Sequence, residues 1–259
     1  MPLPGTYPCL AVQESDVVFG SPSRESGAAM KSDMLNMFAT PLYRSSLDRS
    51  FSDTELDFFR ESMQDPVRAI GKRSSRNKFL LNAPPMQEIR ATLQAHLDNY
   101  FRIVFDTSNE ATLKIAQSWL TLSRRGESHH PHTHPNSIAS GVLYINLAQE
   151  DGIYFFRNDE YQWYELMRKN DNYYNTSSHM ISTKVGDIAI FPSNVKHGVR
   201  EVKDDTSESV FLLIHFSMAR WGRRNFRMHY VCRFIGIQST CITYFIGNAA
   251  ITVTDGSPL

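Results

Sequence analysis

The sequence predicts a mainly β chain with flanking α-helices, whose central part folds as a double-stranded β-helix, or jelly roll. Helical periodicity is concentrated before residue 106, and short apolar runs separated by turn residues follow it. Such runs are typical of all-β sandwiches and barrels. A His-x-His sequence and a distant third histidine, reached through a Gly-Asp turn and a proline, suit a jelly roll that returns a late strand beside an early one.

Composition limits the function classes. The 259 residues are 41% hydrophobic, enough for one large β domain or two small ones. The 27 basic residues balance the 27 acidic ones, so charge indicates neither a nucleic acid nor an anionic membrane as partner. No apolar run is long enough for a membrane span, and the prolines near the N-terminus argue against a signal peptide. Three scattered cysteines favour a reducing cytoplasm.

The chain divides into three predicted parts. Residues 1–33 are rich in Pro, Gly and Ser, which predicts a flexible N-terminal arm. Residues 34–227 form the predicted β domain with its N-terminal helices. Residues 228–259 are a C-terminal extension, which reads either as extra strands or as a poorly ordered tail.

Two helices and an edge strand are predicted before the β region. The sequence Met37–Tyr43 is a short apolar run that suits an edge strand, because Pro41 is tolerated only there. A capping-box pattern at Ser52 and Glu55 predicts a helix start. A second helix is predicted from about Pro85 to Phe105, where apolar residues recur every four positions.

Several strand-like runs follow Lys114, and an aromatic insert interrupts them. The predicted strands are a run through Ile115 and Leu122, then Gly141–Asn146, Ile153–Phe156, His179–Lys184, Asp187–Phe191 and Ser209–Ser217. The insert Arg157–Ser178 contains five aromatic residues among Asn and Asp. We interpret it either as a lid or substrate wall, or as a loop anchored by its aromatics.

Three histidines are the candidate metal ligands. His132 and His134, at a predicted strand start, are two residues apart and would face the same side. His197 follows an apolar strand and a proline turn, which would bring it beside them. Imidazole suits borderline metals such as Fe(II), Zn(II), Mn(II) and Ni(II). We interpret His129 and His130 as loop residues near the metal and His215 as a structural core residue.

The spacing of these residues resembles the two signatures of the cupin superfamily. One signature is Gly126, five residues and then His132-x-His134, and the other is Gly186, five residues and then Pro192, with His197 shortly after. The chain departs from the cupin pattern because Ile138 and Ala139 stand where a cupin carries a glutamate.

A broader resemblance runs from about Met37 to Trp221. Over this range the sequence resembles the iron- and 2-oxoglutarate-dependent oxygenases of phages and bacteria. The matching features are Met37–Tyr43, Trp119, His132–Ser137, Ser140–Tyr144, and Gly186 to Ser193 with His197. The resemblance implies a double-stranded β-helix, Fe(II), 2-oxoglutarate and O₂.

By that resemblance, His132 and His197 fall on the two histidine ligands. His134 occupies the place where better-known relatives have Asp or Glu. A neutral third ligand leaves the site one unit more positive than the usual two-histidine, one-carboxylate triad. We predict that all three histidines bind the metal; the alternative is that His132 and His197 bind and His134 supports them.

The far carboxylate of 2-oxoglutarate needs a partner, and Arg suits a carboxylate best. In most relatives that Arg lies about ten to fourteen residues after the last histidine, but Ser207–Phe211 contains no Arg. The candidate co-substrate contacts are therefore Tyr144, Ser137 and Arg200, with Asn136 bracing the turn.

Three functions remain open from the sequence. The first is an Fe(II)- and 2-oxoglutarate-dependent dioxygenase that hydroxylates a small molecule or a peptide. The second is a three-histidine cupin-type metalloenzyme, a dioxygenase or an isomerase, that does not use 2-oxoglutarate. The third is a non-catalytic cupin-like binding protein. The sequence leaves a homodimer open.

Overall fold

The structure is a computed structural model, which describes residues 39–69, 71–107, 111–148, 152–157, 169–170, 172, 174–203, 209–220, 243–246 and 249–252. The chain divides into two units, and the second, residues 40–259, contains all the described residues except Ala39. The predicted arm, residues 1–33, lies outside the described residues, and the predicted boundaries at 34–227 and 228–259 stay predictions.

The second unit is built on two antiparallel sheets. Its strands are β1 (Tyr43–Ser46), β2 (Val67–Ala69), β3 (Lys72–Ser74), β4 (Thr112–Ser123), β5 (His129–His132), β6 (Ala139–Asn146), β7 (Gly152–Phe156), β8 (Ser178–Ser182), β9 (Asp187–Pro192), β10 (His197–Val199), β11 (Ser209–Arg220), β12 (Thr243–Ile246) and β13 (Ala249–Thr252). Seven form the large sheet, in the order β1-β9-β6-β11-β4-β3-β2, and four form the small sheet, β5-β10-β7-β8. A separate pair, β12-β13, lies in the predicted C-terminal extension.

An apolar layer joins the large sheet to the small one. Val142, Phe191 and Phe211 come from the large sheet, and Ile153 comes from the small sheet. Two facing antiparallel sheets, between which the chain crosses repeatedly from β4 to β11, are a jelly roll. The predicted fold class is therefore confirmed.

Two helices cover the other face of the large sheet. Helix α1 (Asp53–Ser62) begins with the predicted capping box, in which Ser52 accepts from the backbone N–H of Glu55 and the Glu55 carboxylate accepts from that of Ser52. Helix α2 (Gln87–Phe105) follows two 3₁₀ turns at 80–82 and 84–86. Both predicted helices are confirmed. Neither one, nor any other helix in the described ranges, has the length and apolar character needed to cross a bilayer.

The two faces of the large sheet separate by strand alternation. On β11, Leu212 and Ile214 pack in the core under the helices, while Phe211 and Leu213 pack between the sheets. Successive side chains of a strand point to opposite faces, so each strand contributes to both layers.

Two sequence predictions about the elements need correction, and two short strands were missed. The edge strand β1 begins at Tyr43 instead of spanning 37–43. Strands β2 and β3 were not predicted, because three-residue strands are too short to show an alternating pattern. His132 ends β5 instead of starting a strand, and His134 lies beyond it.

Most of the aromatic insert lies outside the described residues. This holds for Tyr161, Trp163, Tyr164 and Tyr173, while Tyr174 is described and exposed. Whether the insert is a lid or an anchored loop stays a prediction.

Candidate metal centre

Three histidines converge at one end of the small sheet. The ligand atoms of His132, His134 and His197 all lie within 4.8 Å of one another. His197 is buried, and the other two are half-buried. These are the three residues that the sequence analysis singled out; their role as ligands stays a proposal.

Strand pairing and one loop contact bring the three histidines together. His197 on β10 is the antiparallel register partner of His132 on β5. His134 lies past the end of β5, and its backbone N–H donates to the carbonyl of Ser193 at 2.9 Å. Strand alternation therefore does not align His132 with His134 as predicted; the turn after β5 does.

Backbone carbonyls orient two of the imidazoles. Nδ1 of His132 lies 2.7 Å from the carbonyl oxygen of His130, and Nδ1 of His197 lies 2.8 Å from that of Val195. A ring that donates Nδ1–H to a carbonyl keeps Nε2 free as a lone-pair donor. Such contacts commonly fix the tautomer of metal-binding histidines.

The spacing of the ring nitrogens suits one metal ion. Nε2 of His134 lies 3.1 Å from Nε2 of His197. Two nitrogens about 2.1 Å from one metal, at the right angle of an octahedral site, are about 3.0 Å apart. Without a metal, the same contact is a hydrogen bond between the rings. The donor set and its spacing therefore fit a bound Fe(II).

Burial keeps these imidazoles neutral near pH 7. It lowers the pKa of His134 to about 2 and that of His197 to about 4, and neighbouring imidazoles add to both shifts. Burial also lowers the pKa of His132, although its bond to the carbonyl of His130 opposes the shift. A histidine must be neutral to bind a metal, so the folded chain presents the ligands in the required form.

Two further aromatic rings contact His134. The ring centroid of His215 lies 4.5 Å from that of His134. The ring centroid of Trp119 lies 6.3 Å from that of His134 and 4.6 Å from that of His215. His215 therefore points toward the three histidines, although it was interpreted from the sequence as a structural core residue. Its Nε2 is buried and has no hydrogen-bond partner among the described residues.

A cavity between the sheets opens beside His132 and His197. Its other lining residues are mainly apolar: Val142, Ile153, Val199, Phe211 and Leu213, with Tyr144, His129 and Gly198. Tyr144 is the predicted co-substrate contact that lies in this cavity. Its side chain is 1% exposed and stacks edge-on against Phe211.

The other predicted co-substrate contacts lie elsewhere. The Arg200 guanidinium stacks 4.0 Å from the ring centroid of Tyr154 and lines a second cavity with His130 and Ser178. The hydroxyl of Ser137 donates to the carbonyls of Ala139 and Phe216. These contacts brace a turn.

Asn136 occupies the left-handed region of that turn, with φ of 63°. Its side chain is exposed, which agrees with the predicted role in shaping the turn. Co-substrate contacts by Arg200, Ser137 and Asn136 stay predictions.

Sequence reasoning missed two lysines near the site. Lys72 on β3 is half-buried, and burial together with the charge of Lys78 lowers its pKa to about 8. Burial alone lowers the pKa of Lys78 to about 8. Both lie far upstream of the histidine motifs. The pairing of β3 with β4 places Lys72 here, and the carbonyl of Lys78 accepts from the N–H of Ser118 on β4 at 2.8 Å.

His129 was predicted to be a loop residue near the metal. It instead begins β5, is buried, and bonds through Nε2 to the hydroxyl of Ser123 at 3.0 Å. Its ring is therefore engaged away from the three convergent histidines.

Comparisons with known proteins agree with this reading. Residues 117–210 match the family model described as "Putative 2OG-Fe(II) oxygenase". This match contains all three histidines and confirms the oxygenase resemblance drawn from the sequence. No curated protein matches the chain.

Several solved structures are similar in fold, all at low identity. A 2OG-Fe(II) oxygenase family oxidoreductase from Burkholderia pseudomallei is 14% identical, covers 68% of this chain and 84% of its own, and has a TM-score of 0.46. HygX from Streptomyces hygroscopicus, solved with nickel and 2-oxoglutarate, is 11% identical over 68% and 82%, with a TM-score of 0.48. A prolyl-4-hydroxylase from Pseudomonas putida is 16% identical over 71% and 94%, with a TM-score of 0.44.

Proposed function

We propose that this protein is an Fe(II)- and 2-oxoglutarate-dependent dioxygenase that hydroxylates an organic substrate. The observation that carries the proposal is the convergence of His132, His134 and His197 inside the segment that matches the oxygenase family. Their ligand atoms lie within 4.8 Å of one another, as one metal ion requires.

The three histidines would hold the iron, each through one ring nitrogen. When bound, Fe(II) and 2-oxoglutarate together activate O₂ for insertion of an oxygen atom into a C–H bond. The carbonyls of His130 and Val195 hold two of the rings in orientation. Three imidazoles leave the remaining coordination positions open for co-substrate and O₂.

The rest of the site would bind the co-substrate and exclude water. The lining residues Val142, Phe211 and Leu213 make the cavity apolar, and Tyr144 also lines it. An apolar wall keeps water away from the reacting groups, which limits side reactions.

The test is an anaerobic titration followed by visible absorption. Apo-protein receives Fe(II) and then 2-oxoglutarate, and we expect a charge-transfer band that requires both additions. His132→Ala and His197→Ala should each abolish the band, because each removes a ligand. Iron binding without a band on adding 2-oxoglutarate would exclude the proposal.

His130→Ala is the matched control for those variants. His130 lies on the same strand as His132, and its side chain is exposed. Its backbone carbonyl contacts Nδ1 of His132, and alanine keeps that carbonyl. Its ring centroid lies 5.1 Å from that of His132, but His130 is not one of the three convergent histidines. The band should therefore survive in this variant.

The wholly imidazole ligand set also favours a second candidate, a three-histidine metalloenzyme that does not use 2-oxoglutarate. The β11 residues that line the cavity, Phe211 and Leu213, are uncharged, so neither can pair with the far carboxylate of 2-oxoglutarate. The same titration separates the two functions, since the second predicts iron binding without a response to 2-oxoglutarate.

We infer that the substrate is a small molecule or a peptide and that the protein acts in the cytoplasm. The balanced charge supports the first inference, and the three scattered cysteines support the second. A homodimer stays a proposal, and light scattering of the purified chain would test it.

A further inference from the structure

We propose that Lys72, with the hydroxyl of Thr121, binds the far carboxylate of 2-oxoglutarate. The inference rests on the proposed function, because it assigns a partner to the co-substrate of that site. It places the cation on β3, a strand that lies outside the residues matched by the oxygenase family, because the cavity-lining residues of β11, Phe211 and Leu213, are uncharged.

A continuous row of side chains runs across the large sheet toward β3. Tyr144 is the register partner of Phe211, Phe211 of Thr121, and Thr121 of Ser74. Cross-strand partners share a face, so all four lie on the face that carries the cavity lined by Tyr144 and Phe211. The row thus connects the metal-side cavity with β3.

Lys72 lies on the same face as this row. It precedes Ser74 by two residues on β3, and side chains two apart in a strand point to the same side. Extending the register places it opposite Ser123, whose hydroxyl contacts the buried ring of His129. Burial is the main cause that lowers the pKa of His129, His132 and His197, and the charge of Lys72 adds a smaller contribution to each shift.

Thr121 provides a hydroxyl that the described residues leave without a partner. Its side chain is fully buried, and Oγ1 has no hydrogen-bond partner in the described part of the chain. A buried hydroxyl without a partner is costly, and a carboxylate oxygen would accept its proton. A hydroxyl beside a cation is the usual arrangement for binding a carboxylate.

Lys78 adds a second positive charge near Lys72. Its Nζ donates to the hydroxyl of Ser74 at 2.6 Å and lies 5.6 Å from the ring centroid of Trp119. Within the described residues, neither Lys72 nor Lys78 forms an ion pair with a carboxylate. Two half-buried cations beside three neutral imidazoles favour a bound dicarboxylate over a neutral ligand.

The experiment compares two 2-oxo acids on the intact, Fe(II)-loaded protein without O₂. 2-Oxoglutarate carries the far carboxylate, whereas 2-oxopentanoate has a methyl group in its place on the same carbon chain. The dissociation constant of each is measured from the charge-transfer band. The wild-type chain should prefer 2-oxoglutarate by about 10- to 100-fold, as one charge-assisted contact provides.

Lys72→Met keeps the length of the side chain but removes its charge. It should abolish the preference by weakening 2-oxoglutarate alone, with Fe(II) affinity unchanged. Thr121→Val removes only the hydroxyl and should reduce the preference by about 5- to 10-fold. Lys114→Met, at an exposed position of β4, is the matched control and should bind as the wild type does.

The outcomes separate the two proposals. An absent band in the wild-type chain overturns both. A wild-type band with an unchanged preference in both Lys72→Met and Thr121→Val overturns only the role of β3. If Arg200→Met instead abolishes the preference, the far carboxylate binds at Arg200 and the inference is wrong.

Discussion

The two faces of the seven-stranded sheet differ in chemistry, although alternate residues of the same strands form them. Toward the helices, Leu120, Leu143 and Leu212 are fully buried in an apolar core. Toward the small sheet, Thr121 and Tyr144 are equally buried but polar, and they share that face with the cavity beside the histidines.

This difference shows how a single strand serves both stability and chemistry. A residue under the helices stabilises the fold by filling space with apolar surface. The next residue along the strand faces the cavity, where its polar atoms also need hydrogen-bond partners. Substitutions on the first face should therefore change unfolding, and those on the second should change metal or co-substrate binding.

The largest effect on stability is expected on the helix side. Leu212→Ala should lower the free energy of unfolding by about 3 kcal/mol, because Leu212 is fully buried and the deletion leaves a cavity. Chemical denaturation measures the change. Fe(II) affinity at low temperature should stay unchanged; a loss of metal binding in the folded variant would show that the faces are not independent.

A smaller but more local effect is expected at Gly198, next to His197 on β10. An added Cβ would lie 2.7 Å from the carbonyl oxygen of His129, which cannot move without shifting β5 away from β10. Gly198→Ala should cost about 1 to 3 kcal/mol and also weaken Fe(II) binding, because β5 carries His132. Isothermal titration measures the second effect.

Gly141→Ala is the matched control for Gly198→Ala. An added Cβ there would meet the ring of Phe216 at 2.9 Å, on the helix side of the sheet. We expect a comparable loss of stability with unchanged Fe(II) affinity. Equal losses of metal affinity in both variants would contradict the comparison.

Stability of the apo-protein should depend on pH through the buried imidazoles. The pKa values of His197 and His215 are lowered to about 4, so between pH 6.5 and 4 the unfolded chain binds protons that the folded chain does not. Stability is then full above pH 6.5 and falls as the pH decreases, by up to about 1.4 kcal/mol per pH unit for each imidazole.

Denaturation of the apo-protein at several pH values measures this slope. His215→Phe should make the slope shallower, because it removes one of the buried titrating rings. An unchanged slope would show that folding does not lower the pKa of His215.

The smallest effect is expected at the start of α1. Ser52→Ala removes one half of the capping box and should cost about 1 kcal/mol. Ser52→Asp, which can still accept from the N–H of Glu55, is the control and should retain most of the stability. Neither change should alter Fe(II) binding, because α1 packs on the face of the large sheet that is opposite the cavity beside the histidines.

Local patterns were enough to predict much of this protein. The capping box at Ser52, the four-residue spacing of α2 and the alternating strands each depend on neighbours in the sequence, so they could be read without the fold. The three histidines were also found from the sequence, since imidazole spacing and the motifs around His132 and His197 carry their own chemical signal.

Long-range pairing decided the rest. The sequence could not place His134, because the contact of its backbone with Ser193 lies in a turn that no strand pattern describes. Nor could it bring Lys72 to the site, because a three-residue strand has no periodicity and its position depends on register with β4. The residue types and their spacing thus determined the metal chemistry that the chain can support. Only the tertiary structure decided which distant side chains surround the three histidines, because strands that pair can lie far apart in the sequence.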